Sequence, residues 1–321
     1  MTTNNQLVIT HNLSDESVEK IKQIIPEWTL LYGKDASNWE DQLEASSIIV
    51  GWNKQLKEFN FAQPKNLKWL QTWSAGVDTL PLEDLDKGNV YVTSANGVHA
   101  YPISETIFAL MLGFTRRIHA YVRNQQTKTW HHEDLKLEIH QKTVGIIGVG
   151  EIGKETAKIA KAFGMKVLGV RHSGKDTEWV DEMFTPDQLD QVLPQCDYVV
   201  VTLPLTPDTK HLFDKKAFKQ MKENAFFINI GRGEIVKEDD LVDALEQGWI
   251  AGAGLDVFEK EPLSEDSPLW EMENVIITPH TAGATEHYQQ RVIEEIFIPN
   301  LKDFINGDKP SINLVDYSKG Y

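Results

Sequence analysis

The stretch TVGIIGVGEIGKETAKIAKAFG, residues 143–164, decides the fold: an apolar, β-branched run passes through Gly148-x-Gly150-x-x-Gly153 into an amphipathic segment. Spaced glycines alone are a weak signal, because 21 glycines in 321 residues yield such a triplet by chance with a probability of about 0.09. The setting makes the pattern specific. A strand runs directly into it and a helix follows, with Gly164 as its C′ residue. Gly148 permits the tight turn, Gly150 lets a pyrophosphate approach the backbone, and Gly153 lets helix and strand pack closely. The N–H groups at the helix start then face the phosphates.

Outward from this unit the same alternation continues. Strands are expected at Thr143–Gly148, Lys166–Val170, Tyr198–Leu203, Phe226–Ile230, Gly254–Phe258 and Val275–Thr278, with helices between them. Six strands so connected make a doubly wound parallel sheet. Upstream, Leu7–Thr10, Thr29–Tyr32, Ser47–Gly51, Trp69–Trp73 and Val90–Thr93 read as strands of a first α/β unit. Its first helix starts near the N-cap candidate Ser14 and stops by Pro26. Pro102 to Arg123 reads as one long, largely buried helix, and a polar excursion carrying Trp130 follows. After Thr285 the chain reads as helical, with a bend near Pro299. The expected fold class is α/β with two Rossmann-like or flavodoxin-like domains.

The formal charge of −16 argues against a nucleic acid or an anionic membrane as partner, since both reward basic surfaces. Cys196 is the only cysteine, which excludes an internal disulfide and a cysteine-built zinc site within one chain; no metal site is expected. The N-terminus has no basic flank and no apolar core of a signal segment, and no run approaches a membrane span, so the expected location is cytoplasmic.

At the end of the second Rossmann strand an NAD-binding unit usually carries an acid for the ribose 2′-hydroxyl. Here the strand ends in Arg171-His172-Ser173-Gly174-Lys175, with no acid before Asp176. Cations and a hydroxyl there suit a 2′-phosphate, so NADP is the expected cofactor and NAD the alternative. Three further segments leave strands on the ligand side of the sheet: INIGRGE with Arg232, LDVFEKEP with Glu261 and ITPHTAG with His280. An Arg, a Glu and a His gathered there can bind a carboxylate, orient an imidazole and transfer a proton.

The ordered set SAGVD (74–78), NGVHAYPISET (96–106), TVGIIGVGEIG (143–153), LPLTPDTKHL (203–212), FINIGRGEIV (227–236), AGAGLDVFEKEPL (251–263) and TPHTAGAT (278–285) resembles the D-isomer-specific 2-hydroxyacid dehydrogenase family over nearly the full chain. The resemblance implies an oxidoreductase with its active site in a cleft between two domains. The substrate domain would comprise residues 1–99 plus 286–321, and the dinucleotide-binding domain residues 100–285. It also implies that Arg232, Glu261 and His280 are catalytic and that Ala75, Gly76 and Val77 offer N–H groups to the substrate carboxylate. Cofactor contacts fall on Glu151, Ile152, Pro204, Thr209, Ile230, Arg232 and Asp256, the last near the nicotinamide carboxamide. The Trp130 excursion resembles the family's dimerisation arm, which implies a homodimer. Trp52 and Tyr101 are candidates to line the substrate pocket, with simple packing as the competing reading.

Two departures bear on the transfer: the missing ribose acid, and Ser94 where several relatives have Asn. An extra regulatory domain of the kind found in some phosphoglycerate dehydrogenases is not expected. The leading expectation is an NADPH-preferring reductase of a small 2-keto acid, of the glyoxylate or hydroxypyruvate kind, which also oxidises (R)-2-hydroxy acids. An NAD-linked dehydrogenase, and a dinucleotide-sensing dimer of the corepressor type, stand as alternatives.

Overall fold

A computed structural model describes residues 5–132 and 135–318; the centre of the polar excursion, Glu133 and Asp134, and the extreme ends of the chain lie outside the described residues. The chain divides into two compact units, Met1–Val98 with Thr285–Tyr321, and His99–Ala284.

In the first unit, β1 (Gln6–Ile9), β2 (Thr29–Tyr32), β3 (Ile48–Val50), β4 (Trp69–Gln71) and β5 (Tyr91–Thr93) form one parallel sheet in the order β2-β1-β3-β4-β5. Successive residues face opposite sides, so both faces are apolar. Leu7, Ile9, Ile48, Val50 and Trp69 pack under Ile293, Phe297 and Leu301, while Val8, Ile49, Leu70 and Val92 pack with Trp39, Leu56 and Leu85. The helix Asp15–Ile24 starts where Ser14 Oγ accepts the Ser17 N–H (3.2 Å) and stops before Pro26. Near Pro299, where a bend is expected, the helical segment widens to π spacing over Val292–Phe297. Pro299 has no N–H to return to the carbonyl of Glu295, which favours the wider register just ahead of it.

The second unit holds seven parallel strands: β6 (Thr143–Ile147), β7 (Lys166–Val170), β8 (Glu182–Phe184), β9 (Tyr198–Val201), β10 (Phe226–Asn229), β11 (Gly252–Leu255) and β12 (Val275–Ile277). Their order is β12-β11-β10-β9-β6-β7-β8, so strand order reverses between β6 and β9. Helix Ala100–Thr115 and the glycine-turn helix Glu151–Ala162 cover one face, and Phe213, Phe218, Leu241 and Leu245 cover the other. Two doubly wound α/β units thus match the expected fold class.

Three sequence expectations need correction. The single helix over 102–123 is two, Ala100–Thr115 and Ile118–Gln126, separated by Arg117 in a left-handed conformation (φ 55°). Thr115 Oγ1 turns back to the Met111 carbonyl (2.7 Å) and pairs with the buried Tyr198 hydroxyl (2.5 Å), a side-chain bond that competes with helix continuation. The strand expected over Gly254–Phe258 runs Gly252–Leu255, because Asp256 leaves the sheet to bond the loop after β12. The edge strand β8 was not expected; three residues, none fully buried, carry no readable alternation. Among the described residues no helix is long and apolar enough to cross a membrane.

Candidate active site

The glycine turn sits at the strand-order reversal of the second unit, where open α/β sheets bind ligands. Gly148 has φ 112°, and a Cβ there would press on the backbone of Thr202 and Leu203 at about 3.0 Å. A Cβ on Gly153 would meet the Gly148 carbonyl at 2.6 Å, whereas one on Gly150 would meet nothing within 4 Å. Two glycines therefore close the turn and the third leaves open space over it, a cradle that fits a pyrophosphate. Glu151 opens the helix and is paired with Lys154 (2.6 Å); Ile152 is partly buried against the core. The Thr209 hydroxyl is used within its own loop, bonded to the Pro204 carbonyl (2.7 Å) and the Thr206 N–H (2.8 Å), and Ile230 is buried.

The basic loop lies beside this cradle. The N–H groups of Gly148 and Val149 both donate to the carbonyl of Val170, the residue before Arg171. The Arg171 N–H is held by the Phe184 carbonyl, and its side chain is half-buried. Among the described residues, Arg171, His172 and Lys175 have no carboxylate partner, and Ser173 Oγ accepts only the Lys175 N–H (3.4 Å).

Arg232, Glu261 and His280 follow β10, β11 and β12. His280 Nδ1 lies 2.7 Å from Glu261 Oε2, the other Glu261 oxygen accepts the Phe258 N–H (3.1 Å), and the imidazole is about half exposed. His280 has φ 52°, a backbone conformation costly for a side-chain-bearing residue and held here from several directions. Asp256, fully buried, accepts from Thr278 Oγ1 (2.6 Å) and the N–H groups of Thr281 (2.9 Å) and Ala282 (3.0 Å), and its carbonyl accepts the His280 N–H (2.8 Å). Its carboxylate, which the resemblance assigned to a cofactor contact, is engaged in shaping the His280 loop. Asn229 does the same for Arg232: its side chain bridges the Gly231 N–H and the Arg232 carbonyl.

His99 was not singled out from the sequence. Its Nδ1 bonds the Gly283 carbonyl (3.1 Å), burial holds its pKa below the usual imidazole value, and the nearby Arg232 guanidinium acts in the same direction. His99 thus borders both the Arg232 and the His280 loops. The signal available was a histidine opening a buried helix.

In the first unit the segment after β4 carries Ala75, Gly76 and Val77. Among the described residues their three N–H groups have no acceptor, while Thr72 Oγ1, Ser74 Oγ and the Ala95 N–H tie down neighbouring carbonyls. A short row of undirected amides suits a carboxylate. Trp73, just before the row, stacks on His11 (4.1 Å), and its carbonyl accepts the Tyr288 hydroxyl; burial lowers the His11 pKa to about 4. Trp52 packs against Phe61 (5.6 Å), which favours packing as its role, and Tyr101 belongs to the other unit and is half exposed.

Residues 108–282 match the family model for the D-isomer specific 2-hydroxyacid dehydrogenase NAD binding domain. A glyoxylate reductase of Thermococcus litoralis is 37% identical over 279 residues, covering 84% of this chain and 82% of that one. Among solved structures, an NADPH-dependent glyoxylate/hydroxypyruvate reductase from Sinorhizobium meliloti, in complex with NADP and sulfate, aligns with a TM-score of 0.82 at 29% identity, covering 99% of this chain and 100% of that one. A D-isomer specific 2-hydroxyacid dehydrogenase from Xanthobacter autotrophicus, in complex with NADPH and MES, aligns with a TM-score of 0.84 at 29% identity and the same coverage.

Proposed function

The chain belongs to the D-isomer-specific 2-hydroxyacid dehydrogenase family, a family of NAD(P)-dependent oxidoreductases, and from that premise we propose that it reduces a small 2-keto acid of the glyoxylate or hydroxypyruvate kind with NADPH preferred. The observation that carries the reading is the His280–Glu261 pair at 2.7 Å, in the unit that also holds Arg232 and the glycine turn. When bound, the reduced nicotinamide supplies the hydride that carbon 2 of the keto acid accepts. Gly148, Gly150 and Gly153 would hold the cofactor's pyrophosphate, and Arg171, His172 and Ser173 would take a 2′-phosphate. Arg232 holds the substrate carboxylate, and the N–H row of Ala75, Gly76 and Val77 is the carboxylate-binding candidate of the first unit. His280, as an imidazolium oriented by Glu261, gives a proton to the carbonyl oxygen as the hydroxyl forms. In the reverse direction the neutral imidazole accepts that proton from the (R)-2-hydroxy acid.

The test follows NADPH absorbance over a panel of glyoxylate, hydroxypyruvate, pyruvate and bulkier keto acids. The expected result is turnover highest for the two smallest hydrophilic acids. Cofactor binding with no turnover on any member would replace this reading by the dinucleotide-sensing one.

The working unit is a homodimer in this proposal. Tyr101, Ile118, Val122, Leu135 and Leu137 are exposed and Trp130 is 94% exposed, an apolar concentration between residues 101 and 137 that a second copy would cover. Light scattering after size exclusion should give twice the 36.5 kDa chain mass; a monomer at micromolar concentration, with or without NADPH, would remove the dimer from the proposal. The acidic chain with one buried cysteine suits a cytoplasmic enzyme.

A further inference from the structure

Two residues before Glu261, Glu259 joins a second set of titratable side chains that the chemistry above does not use. Glu259 Oε2 accepts the Glu238 N–H (3.2 Å), and Glu238 Oε2 accepts the Glu259 N–H (3.1 Å), a reciprocal pair of bonds between two carboxylates and two main chains. The second Glu259 oxygen is 2.9 Å from His211 Nε2. These three residues belong to three different loops. His211 ends the segment after β9 that contains Pro204 and Thr209, Glu238 opens the helix that follows the Arg232 turn, and Glu259 lies two residues before Glu261.

The backbones under these side chains are in direct contact. A Cβ on Gly233 would lie 1.8 Å from the carbonyl carbon and oxygen of Phe258 and 2.4 Å from the Glu259 nitrogen, so the residue after Arg232 rests on the segment leading to Glu261. The His211 N–H donates to the Glu234 carbonyl (2.8 Å), the Phe213 N–H to Ile235 (3.0 Å) and the Lys237 N–H to Phe213 (3.0 Å), which fastens the third loop to the same segment. Placing two carboxylates together costs electrostatic free energy; burial and the Glu259 charge both hold the Glu238 carboxyl above its ordinary range. The compensation is that each takes a main-chain donor of the other loop.

We infer that Glu259 is a positioning residue: through Glu238 and His211 it locks the loops bearing Arg232 and Glu261 into one register, so that the carboxylate-binding guanidinium and the imidazole-orienting carboxylate act on the same substrate. The inference rests on the proposed roles of Arg232 and Glu261. It differs from them in that Glu259 touches neither substrate nor cofactor and acts only through the loops it joins. A parallel bridge between Phe213 and Val236 ties the loops after β9 and β10, whereas among the described residues no such bridge ties the Glu261 loop to either; a misplacement of about 1 Å between reacting groups can cost on the order of a hundredfold in rate.

The experiment compares wild type with Glu259→Ala, Glu259→Gln and His211→Ala in keto-acid turnover, NADPH affinity and amide hydrogen exchange of residues 231–238 and 256–263. Glu259→Ala should lower kcat at least about tenfold, with NADPH affinity within about threefold of wild type, since the glycine turn is not braced by it and Thr209 is held within its own loop by Pro204 and Thr206. Both segments should exchange faster together, and the β6 amides should not. Glu259→Gln should recover kcat to within about threefold, because an amide can still accept from the Glu238 N–H and pair with His211. A Glu259→Ala kcat within about twofold of wild type, unchanged exchange in either segment, or a Gln variant as slow as Ala would each overturn the inference. Should Glu259→Ala fail to fold, His211→Ala decides: it cuts one leg of the brace at a partly exposed position and should still cost about threefold in kcat, and no loss would overturn the inference. A wild type that reduces no keto acid defeats the proposed function instead, and the exchange data then judge the brace alone.

Discussion

Replacing His280 with alanine is expected to lower kcat for keto-acid reduction by at least about a hundredfold while leaving NADPH binding and the fold intact, in line with general acid catalysis contributing roughly 10²–10⁴. The imidazole is oriented by Glu261 at 2.7 Å and open to solvent or substrate, its side chain being about half exposed. Its loop does not depend on it. Asp256 holds the main chain on both sides through Thr278, Thr281 and Ala282, so the variant loses the proton donor without losing the loop. Histidine tolerates the left-handed backbone at residue 280 better than alanine does, so a small loss of stability is expected beside the loss of turnover, and a thermal melt separates the two. Stopped-flow or steady-state NADPH oxidation at saturating keto acid measures the effect, with a cofactor titration as control. Turnover within a few fold of wild type would take His280 out of the chemistry and leave the pair with Glu261 as a structural contact.

The contrast between what could and could not be read in the sequence follows the range of the interactions. The strands Leu7–Thr10 and Lys166–Val170 and the cap at Ser14 are visible because each is written in a few consecutive residues, and the glycine turn is visible because its three steric demands fall within six positions. The break at Arg117 was not, since it arises from Thr115 meeting Tyr198, 83 residues away. The Asp256 network was equally hidden. Only the pairing of β11 with β12 brings an aspartate opposite a loop 22 to 26 residues further on, and the composition of LDVFEKEP says nothing of which acid faces it. Of the three acids in that segment, Asp256 supports the His280 loop, Glu259 joins Glu238 and His211, and Glu261 meets the imidazole. Residue type marked the segment as rich in acids, and only the register separated their roles.

Cofactor choice should turn on Arg171. NADPH is expected to exceed NADH in kcat/KM by at least about tenfold, because a guanidinium fork beside a 2′-phosphate contributes roughly 1.5–3 kcal/mol as a charge-assisted bond, or one to two decades at about 1.4 kcal/mol each. The structure supplies the conditions for that contact. Arg171 follows directly on Val170, whose carbonyl ties the glycine turn, and no carboxylate among the described residues competes for its charge. Its own N–H is fixed by Phe184, so the loop's path is set before any cofactor arrives and little ordering cost opposes binding. Because the side chain is only half-buried, raised salt should narrow the gap between the two coenzymes. A guanidinium at this position could instead lie flat on the adenine ring, which both cofactors share. Arg171→Ala separates these: a phosphate contact is lost for NADPH alone, whereas a stacking contact is lost equally for both. A wild-type enzyme that prefers NADH outright would overturn the reading of this loop and make the chain an NAD-linked dehydrogenase.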